Sequence, residues 1–553
     1  MRHSFTPATH RLRFSEDVPV LHPRRVRTNP PLSRSHSGTA RIGENIVKKV
    51  LVAGLIAIVS VAGFGQVTNG VVPFSAWDHT VNLNNLNVMI SIPIRSKTGL
   101  VPFSSGVVIN DHVDVSGGTI STEPVFAGQT LQGNLGIANL GYLTYRANST
   151  TCPDNRPATI YDRWAYIDST GASHPAPSTV ITETYGCQKP ASASGVTTDN
   201  SGFTINAGVG TGTVYDSAGR RVANGTVTTQ ILDANGNSIS WSTPNWTDTL
   251  GQVVLSVTPG MPDVFTYTDA SGSTRTAQIN YASYTEQTAF GCTGLSDMSP
   301  TVVQFPSSVS LQDGTSFSLT YETTPNDTHT PHYVTGRIAS VTLPTGGVIS
   351  YAYSGGNNGL DCHFYNAPVV TVTTTDGVRT YTHTNPPPPY NTPSTTTVID
   401  PSGNETDYTF TGAVSGFQTQ ALSYSGNGAN KTLLKTTVTC YNGNQSNCAS
   451  ATGATVQYPI TQTDVYTTLA PMSSSARTTT QFDGYGNVTH VYEYDFGALG
   501  YTYHIETPMG TWTANNTCAA IGGGINNRPC YRNVYSPTAT VSSEVSLTMR
   551  KGI

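Results

Sequence analysis

GRIASVTLPTGGVISYAYSGG, Gly336 to Gly356, reads as two short strands around the turn Pro344-Thr345-Gly346-Gly347. Successive side chains of a strand point to opposite sides, so Ile349, Tyr351 and Tyr353 share one face of the outgoing strand. Glycine tolerates the positive φ of a tight turn, and an Asp in the same place can bond the backbone two residues on. Tyrosine covers apolar area with its ring while the hydroxyl reaches water or a backbone partner, which suits a wide, half-wet β surface.

The stretch is not alone. LQDGTSFSLTY (Leu311 to Tyr321) aligns with LPTGGVISYAY (Leu343 to Tyr353) without a gap, matching Gly314 to Gly346 and Tyr321 to Tyr353 at an offset of 32 residues. Further copies are TTTDGVRTYTHT around Gly377, VIDPSGNETDYTF around Asp400 and Gly403, and TTTQFDGYGNVTHVYEYD around Asp483 and Gly486. Earlier relatives are YDSAGRRV at Tyr215 to Val222 and ILDANGNSISW at Ile231 to Trp241. Recurrence at 20 to 50 residues signals a repeat architecture whose units bury their faces against one another.

The rest of the chain agrees on fold class. Only 11% of the 553 residues are charged, with 53 Gly, 34 Pro and 28 Tyr, a composition that favours strands and turns. The 37% hydrophobic content argues for burial over disorder. No amphipathic helix of 12 or more residues is found, and short apolar runs recur between turn signals, as expected of an all-β chain. Asn82 to Asn110 reads as strands separated by Lys97-Thr98-Gly99, whereas residues 127–300 are looser, with an irregular or sandwich-like expectation.

Residues 1–49 hold ten Lys/Arg against Glu16, Asp17 and Glu44, leaving 18 basic and 30 acidic groups after them. A net of about −12 argues against nucleic acid as a partner, because phosphate binding needs a basic patch. KKVLVAGLIAIVSVAGFGQ, Lys48 to Gln66, has the three-part plan of a secretory signal, with cleavage expected before Gln66. Its apolar run is shorter than the roughly 20 residues a bilayer needs, so no stable membrane span is expected after cleavage. The basic extension 1–47 is then expected to be disordered or to precede a true start near Val47.

All eight cysteines follow the signal, and an even count in an exported chain suggests disulfides. Cys440/Cys448 and Cys518/Cys530 are close enough to staple local loops. The pairing of Cys152, Cys187, Cys292 and Cys362 stays open. No CxxC or HExxH occurs, so no metal or other cofactor is expected.

Here GRIASVTLPTGGVISYAY resembles the RHS, or YD, repeat: Gly336, Arg337, Ile338, Val341, Thr342, Pro344, Gly346, Tyr351 and Tyr353 match its pattern. VIDPSGNETDYTF and FDGYGNVTHVYEYD match as well, the latter ending in the Tyr494-Asp495 pair that names the repeat. Asn82 to Phe103 looks like the lead-in of bacterial RHS-repeat surface proteins. The resemblance implies a long β-sheet wound into a spiral or shell. Relatives use such a shell to enclose a C-terminal toxin or as part of an adhesion molecule. No toxin-type core terminus is found, since Asp400-Pro401-Ser402-Gly403 lies inside a repeat and is followed by Asn404, so truncation of the chain is an expectation too.

Motifs for chemistry are sparse. No GxSxG elbow or GxxxxGK[ST] loop is present. His174, His329, His332, His363, His383, His490 and His504 lack metal-ligand spacing and are expected as surface or strand histidines. Asp483, Glu493 and Asp495 could be imagined as a glycosidase pair, but Asp in these units sits where the turn needs it. Asp233 opens an apparent calcium loop that fails at Pro244, where the bidentate acid should stand.

The sequence-based reading divides the chain into a basic extension (1–47), signal (48–65), N-terminal β region (66–299), RHS/YD repeats (300–500) and an irregular end (501–553). It expects a secreted or cell-surface scaffold, not an enzyme, that binds surface glycans or proteins. The alternatives are the shell of a polymorphic toxin, with toxin cargo, and a secreted carbohydrate-active enzyme.

Overall fold

The computed structural model describes residues 79–545 apart from internal stretches, the longest being 128–140 and 178–191. The basic extension, the expected signal of residues 48–65, Cys152, Cys187 and the terminal residues 546–553 lie outside the described residues. Among the described residues the protein is all-β, with two short 3-10 turns and no α-helix. One antiparallel sheet of 26 strands, each hydrogen-bonded to the next in chain order, runs from Ser192–Val196 to Thr540–Val545. It crosses the 299/300 division without a break, because Thr274–Glu286 pairs with Thr301–Ser310.

The hairpins share one turn. Leu343 N–H bonds Gly347 O at 2.7 Å and Gly346 N–H bonds Leu343 O at 2.9 Å; Leu311/Gly314, Asp400/Gly403 and Asp483/Gly486 repeat the pattern. Where Asp opens the turn its carboxylate completes it: Asp400 Oδ1 accepts from Ser402 N and Asn404 N, and Asp483 Oδ1 from Tyr485 N and Asn487 N, all at 2.9 Å. The same turn opens at Asp216, Asp233, Asp248 and Asp269. There the strands are shorter and the spacing tighter, so the 32-residue offset is not visible in the sequence.

Ile349 and Tyr351 are buried and Tyr353 packs against the same core, as the alternation predicts. The face is drier than the composition suggested. A four-stranded sheet formed by His79–Val81, Val88–Lys97, Phe103–Asp111 and Pro124–Ala127 lies on it, and Val81 to Ile109 join Ile231 to Phe410 in one core. Phe103 meets Trp246 with ring centroids 5.9 Å apart, Lys97 pairs with Asp248 at 2.9 Å, and Arg95 lies 4.3 Å above the Tyr267 ring. The tyrosine hydroxyls find backbone acceptors: Tyr321 donates to Pro306 O at 2.7 Å and Tyr353 to Ile338 O at 3.0 Å.

The repeat arginine is buried too. Arg337, 3% exposed, donates from Nε and Nη2 to the two oxygens of Glu322 at 2.7 and 2.8 Å, and from Nη2 to Asn358 O at 2.8 Å. Its guanidinium lies between Phe290 (4.9 Å) and Tyr353 (4.1 Å). Gly336 beside it is buried in the same strand. Cys292–Cys362 bridges 70 residues nearby, a pairing the spacing left open, and the two local staples form at Cys440–Cys448 and Cys518–Cys530.

The long sheet returns on itself. Asn200 Nδ2 donates to Ile460 O and Ile460 N–H to Asn200 Oδ1, at 2.5 and 3.2 Å across 260 residues. Ser217 O accepts from Asn526 N and Asn527 N at 2.8 and 3.1 Å, and Ala218 bridges Ile525. The turn at Asn200 also lies against Gly486, where an added Cβ would stand 2.2 Å from Asn200 O.

His174, expected as a surface or strand residue, is a buried strand residue behind this seam. Its ring donates to Asp199 Oδ2 at 2.6 Å and to Asp168 Oδ2 at 3.3 Å, while Asp199 Oδ1 accepts from the Ser201 hydroxyl at 2.6 Å. Burial opposes the charged ring, but the bonds to Asp168 and Asp199 outweigh it and hold His174 up at about 9. Burial likewise opposes the Asp199 carboxylate, and the bond from His174 keeps it below its ordinary value. A raised imidazole stabilises the fold fully below its unfolded value of 6.5 and loses that contribution as pH climbs through about 9. The lowered Asp199 contributes above its unfolded value and loses it as pH falls. Stability is therefore expected to drop by on the order of 3 kcal/mol from pH 6.5 to above pH 9. Urea midpoints across that range check this, and a His174→Gln variant with an unchanged slope would refute it.

Candidate docking face

Counting from the turn glycine, Tyr351 is fifth after Gly346 and Tyr408 fifth after Gly403, whereas Tyr492 is sixth after Gly486. A one-residue change moves a strand side chain to the other face. The register follows it across the sheet: Tyr351 opposes Val372, Tyr381 opposes Val398, Tyr408 opposes Ala421, and Ala421 opposes Thr437. Continuing through Thr439↔Val465, Val465↔Thr478 and Thr478↔Glu493, that face reaches Glu493 and not its neighbours. Tyr492 and Tyr494 therefore stand on the face turned away from the N-terminal sheet.

Five strands build this second face: Gln462–Leu469, Ser475–Phe482, Val488–Tyr494, Tyr503–Glu506 and Tyr531–Tyr535. Their register sorts the side chains into three rows. One is Tyr466–Arg477–Tyr494; the next is Asp464–Thr479–Tyr492–His504–Tyr535; the third is Gln462–Gln481–His490–Glu506–Asn533. With strands about 4.8 Å apart and alternate residues about 6.8 Å apart, the face measures about 20 by 14 Å. Asp464 and Thr479 are buried and the other members half-buried.

The rings are ordered by one another. Tyr492 and His504 stack at 4.1 Å with 7° between planes, Tyr535 covers the other side of His504 at 5.2 Å, and His490 Nδ1 lies 3.0 Å from His504 Nε2. The Arg477 guanidinium lies 3.7 Å from the Tyr494 centroid and 5.9 Å from that of Tyr466. Asp464 accepts from Gln445, Gln462 and Thr479 at 2.8, 2.8 and 2.5 Å, and Glu506 from the Tyr535 hydroxyl at 2.8 Å.

Burial, reinforced by the neighbouring His490, lowers His504, so this ring is neutral at pH 7. Burial raises Tyr492 and Tyr535, and burial together with Glu506 pushes Tyr531 up to about 12, so the phenols keep their protons. Such a face offers aromatic rings, amides and phenolic donors side by side.

Disulfide loops stand at both ends. Cys440 opposes Asp464, and its partner Cys448 closes a loop from which Gln445 also accepts the Tyr466 hydroxyl at 2.5 Å. At the far end Cys518–Cys530 leads directly into Tyr531, whose ring meets Trp512 edge-on at 5.5 Å.

Of the residues the sequence singled out, Pro344, Gly346, Asp400, Gly403, Asp483 and Gly486 lie in turns, and Tyr351, Tyr353 and Arg337 in the covered core. Of the repeat-motif residues only Tyr494 belongs to the second face, which His490 and His504 join from among the scattered histidines; Asp495 is exposed just past the strand of Tyr494. The imagined glycosidase set is not gathered: Asp483 and Asp495 stand at opposite ends of one strand, about 20 Å apart, and Glu493 points to the other face. Arg477, Glu506 and Tyr535 were missed, and His490 and His504 were read only as surface or strand histidines. The alternation His490, Tyr492, Tyr494 was the available signal, had it been counted from Gly486.

No protein-family model and no curated protein matches the chain. Among solved structures it is similar to the "Crystal Structure of TcdB2-TccC3-TEV", at 11% sequence identity, covering 88% of this chain and 28% of that one, with a TM-score of 0.13. No helix among the described residues is long and apolar enough to cross a membrane.

Proposed function

We propose that this is an exported YD-repeat protein that serves as a surface scaffold and docks extended glycans on the face spanning Gln462 to Tyr535, without turning them over. The YD-repeat assignment draws on the shared turn, the 32-residue offset and the gapless match of Leu311–Tyr321 to Leu343–Tyr353. Export draws on the sequence of Lys48 to Gln66 and on the three disulfides among the described residues.

One observation carries the docking reading: three parallel rows of rings, amides and phenols between two disulfide-stapled loops. Sugars combine apolar C–H faces with a dense rim of hydroxyls, so they are held by aromatic surface beside fixed polar groups. An edge-to-edge span of about 20 Å suits an extended oligosaccharide better than a small metabolite. The acids of the face are engaged within it, as expected of groups that position their neighbours. A glycan array probed with the mature protein tests this reading, with retention of a family of extended polysaccharides as the expected result. An array blank at high protein concentration would sink it.

A further inference from the structure

The docking reading leaves open which glycan, and the row Tyr466–Arg477–Tyr494 bears on that. Five cations among the described residues are matched to carboxylates: Lys97 to Asp248, Arg220 to Asp216, Arg275 to Asp269, Arg337 to Glu322, and Lys431 to Glu405 and Asp407. Arg477 is not one of them, and it is the cation of the second face. It has no ion pair among the described residues, and its neighbours across both adjacent strands are aromatic rings. The nearest acid in the rows, Asp464, already accepts three hydrogen bonds, and Glu506 is bonded to Tyr535.

We infer that Arg477, held between Tyr466 and Tyr494, is the subsite for a sugar carboxylate, so that the face selects uronate-bearing polysaccharides over neutral ones. This inference rests on the docking reading and gives it a ligand class. A guanidinium presents a planar fork that matches a carboxylate with two parallel hydrogen bonds, and stacking on a ring orders that fork in advance. In a uronate the carboxyl is attached directly to the pyranose ring. One face of Tyr494 carries Arg477 and one face of Tyr492 carries His504, so a sugar lying along the solvent-side edges of these rings brings its carboxylate beside the fork while its ring meets the aromatic row. Charge sets the density of the ligand. The chain after residue 49 carries a net of about −12, which repels polyanions at a distance. One carboxylate per sugar against a single cation is thus favoured over a densely sulfated chain.

Calorimetry on the full exported protein would use three probes: tetragalacturonate, its methyl ester, and a heparin tetrasaccharide. The acid is expected to bind at least about tenfold tighter than the ester, the equivalent of a single charge-assisted contact. Arg477→Met should bring the acid down to the ester's affinity, while Arg477→Lys, which keeps the charge without the fork, should recover less than half of the loss on a logarithmic scale. Equal binding of acid and ester by the unsubstituted protein overturns the carboxylate subsite and leaves the docking reading standing. Tighter binding of heparin overturns the choice of uronate. No binding of any of the three to the protein, together with a blank array, overturns both.

Discussion

Arg337→Met is expected to cost the fold about 3–5 kcal/mol, the range seen when one partner of a buried ion pair is removed. The loss comes chiefly from what is left behind. Glu322 would keep a hydroxyl bond from Thr335 at 2.7 Å but lose both guanidinium donors, and Asn358 O would lose its donor as well. Methionine restores some packing between Phe290 and Tyr353 without restoring a hydrogen bond. Charge burial can be relieved from both sides, so the double variant Arg337→Met/Glu322→Leu should recover more than half of the stability. Denaturant midpoints of the two variants decide this. A single variant within about 1 kcal/mol of the parent would show that the pair is not a determinant of the sheet.

Gly486→Ala is expected to cost about 2–4 kcal/mol and to loosen the seam. Two effects add here. Gly486 has φ +76, which strains an L-residue, and the new Cβ would stand 2.2 Å from the carbonyl oxygen of Asn200 and 2.9 Å from its carbon. Backbone cannot swing aside like a side-chain tip, so the Asn200 turn must withdraw and its bonds to Ile460 with it. Gly314 is the control, with φ +84 and nothing within 4 Å of its added Cβ. Gly314→Ala should show only the conformational penalty, about 1–2 kcal/mol. Hydrogen exchange is expected to speed up at Ile460 and around Asn200 in Gly486→Ala alone. Equal destabilisation of the two variants, with no change at the seam, would mean that closure contributes nothing to stability.

The all-β class was readable from composition and from one well-preserved hairpin, because turn glycines and period-two alternation are local properties. Position along the sheet was not. The turns at Asp216 and Asp233 were legible as relatives of the repeat, but those at Asp248 and Asp269 escaped because the strands between them are short and do not keep the 32-residue offset. Burial of the tyrosine face was also hidden, since it depends on Val81 to Ile109 packing against strands more than a hundred residues away. His174 looked like one of the scattered histidines of the chain; only folding brings it between Asp168 and Asp199. The docking face was half legible. His490, Tyr492 and Tyr494 alternate in plain sight, but Arg477, His504, Glu506 and Tyr535 join them through cross-strand register, which local sequence does not fix.

Hydroxyl-radical footprinting of the protein with and without a bound polysaccharide, ideally an oligogalacturonate, tests the central claim most directly. The account predicts protection concentrated at Tyr466, His490, Tyr492, Tyr494, His504 and Tyr535, with reactive side chains elsewhere unchanged. Binding accompanied by protection elsewhere, with these six left as reactive as before, would contradict it.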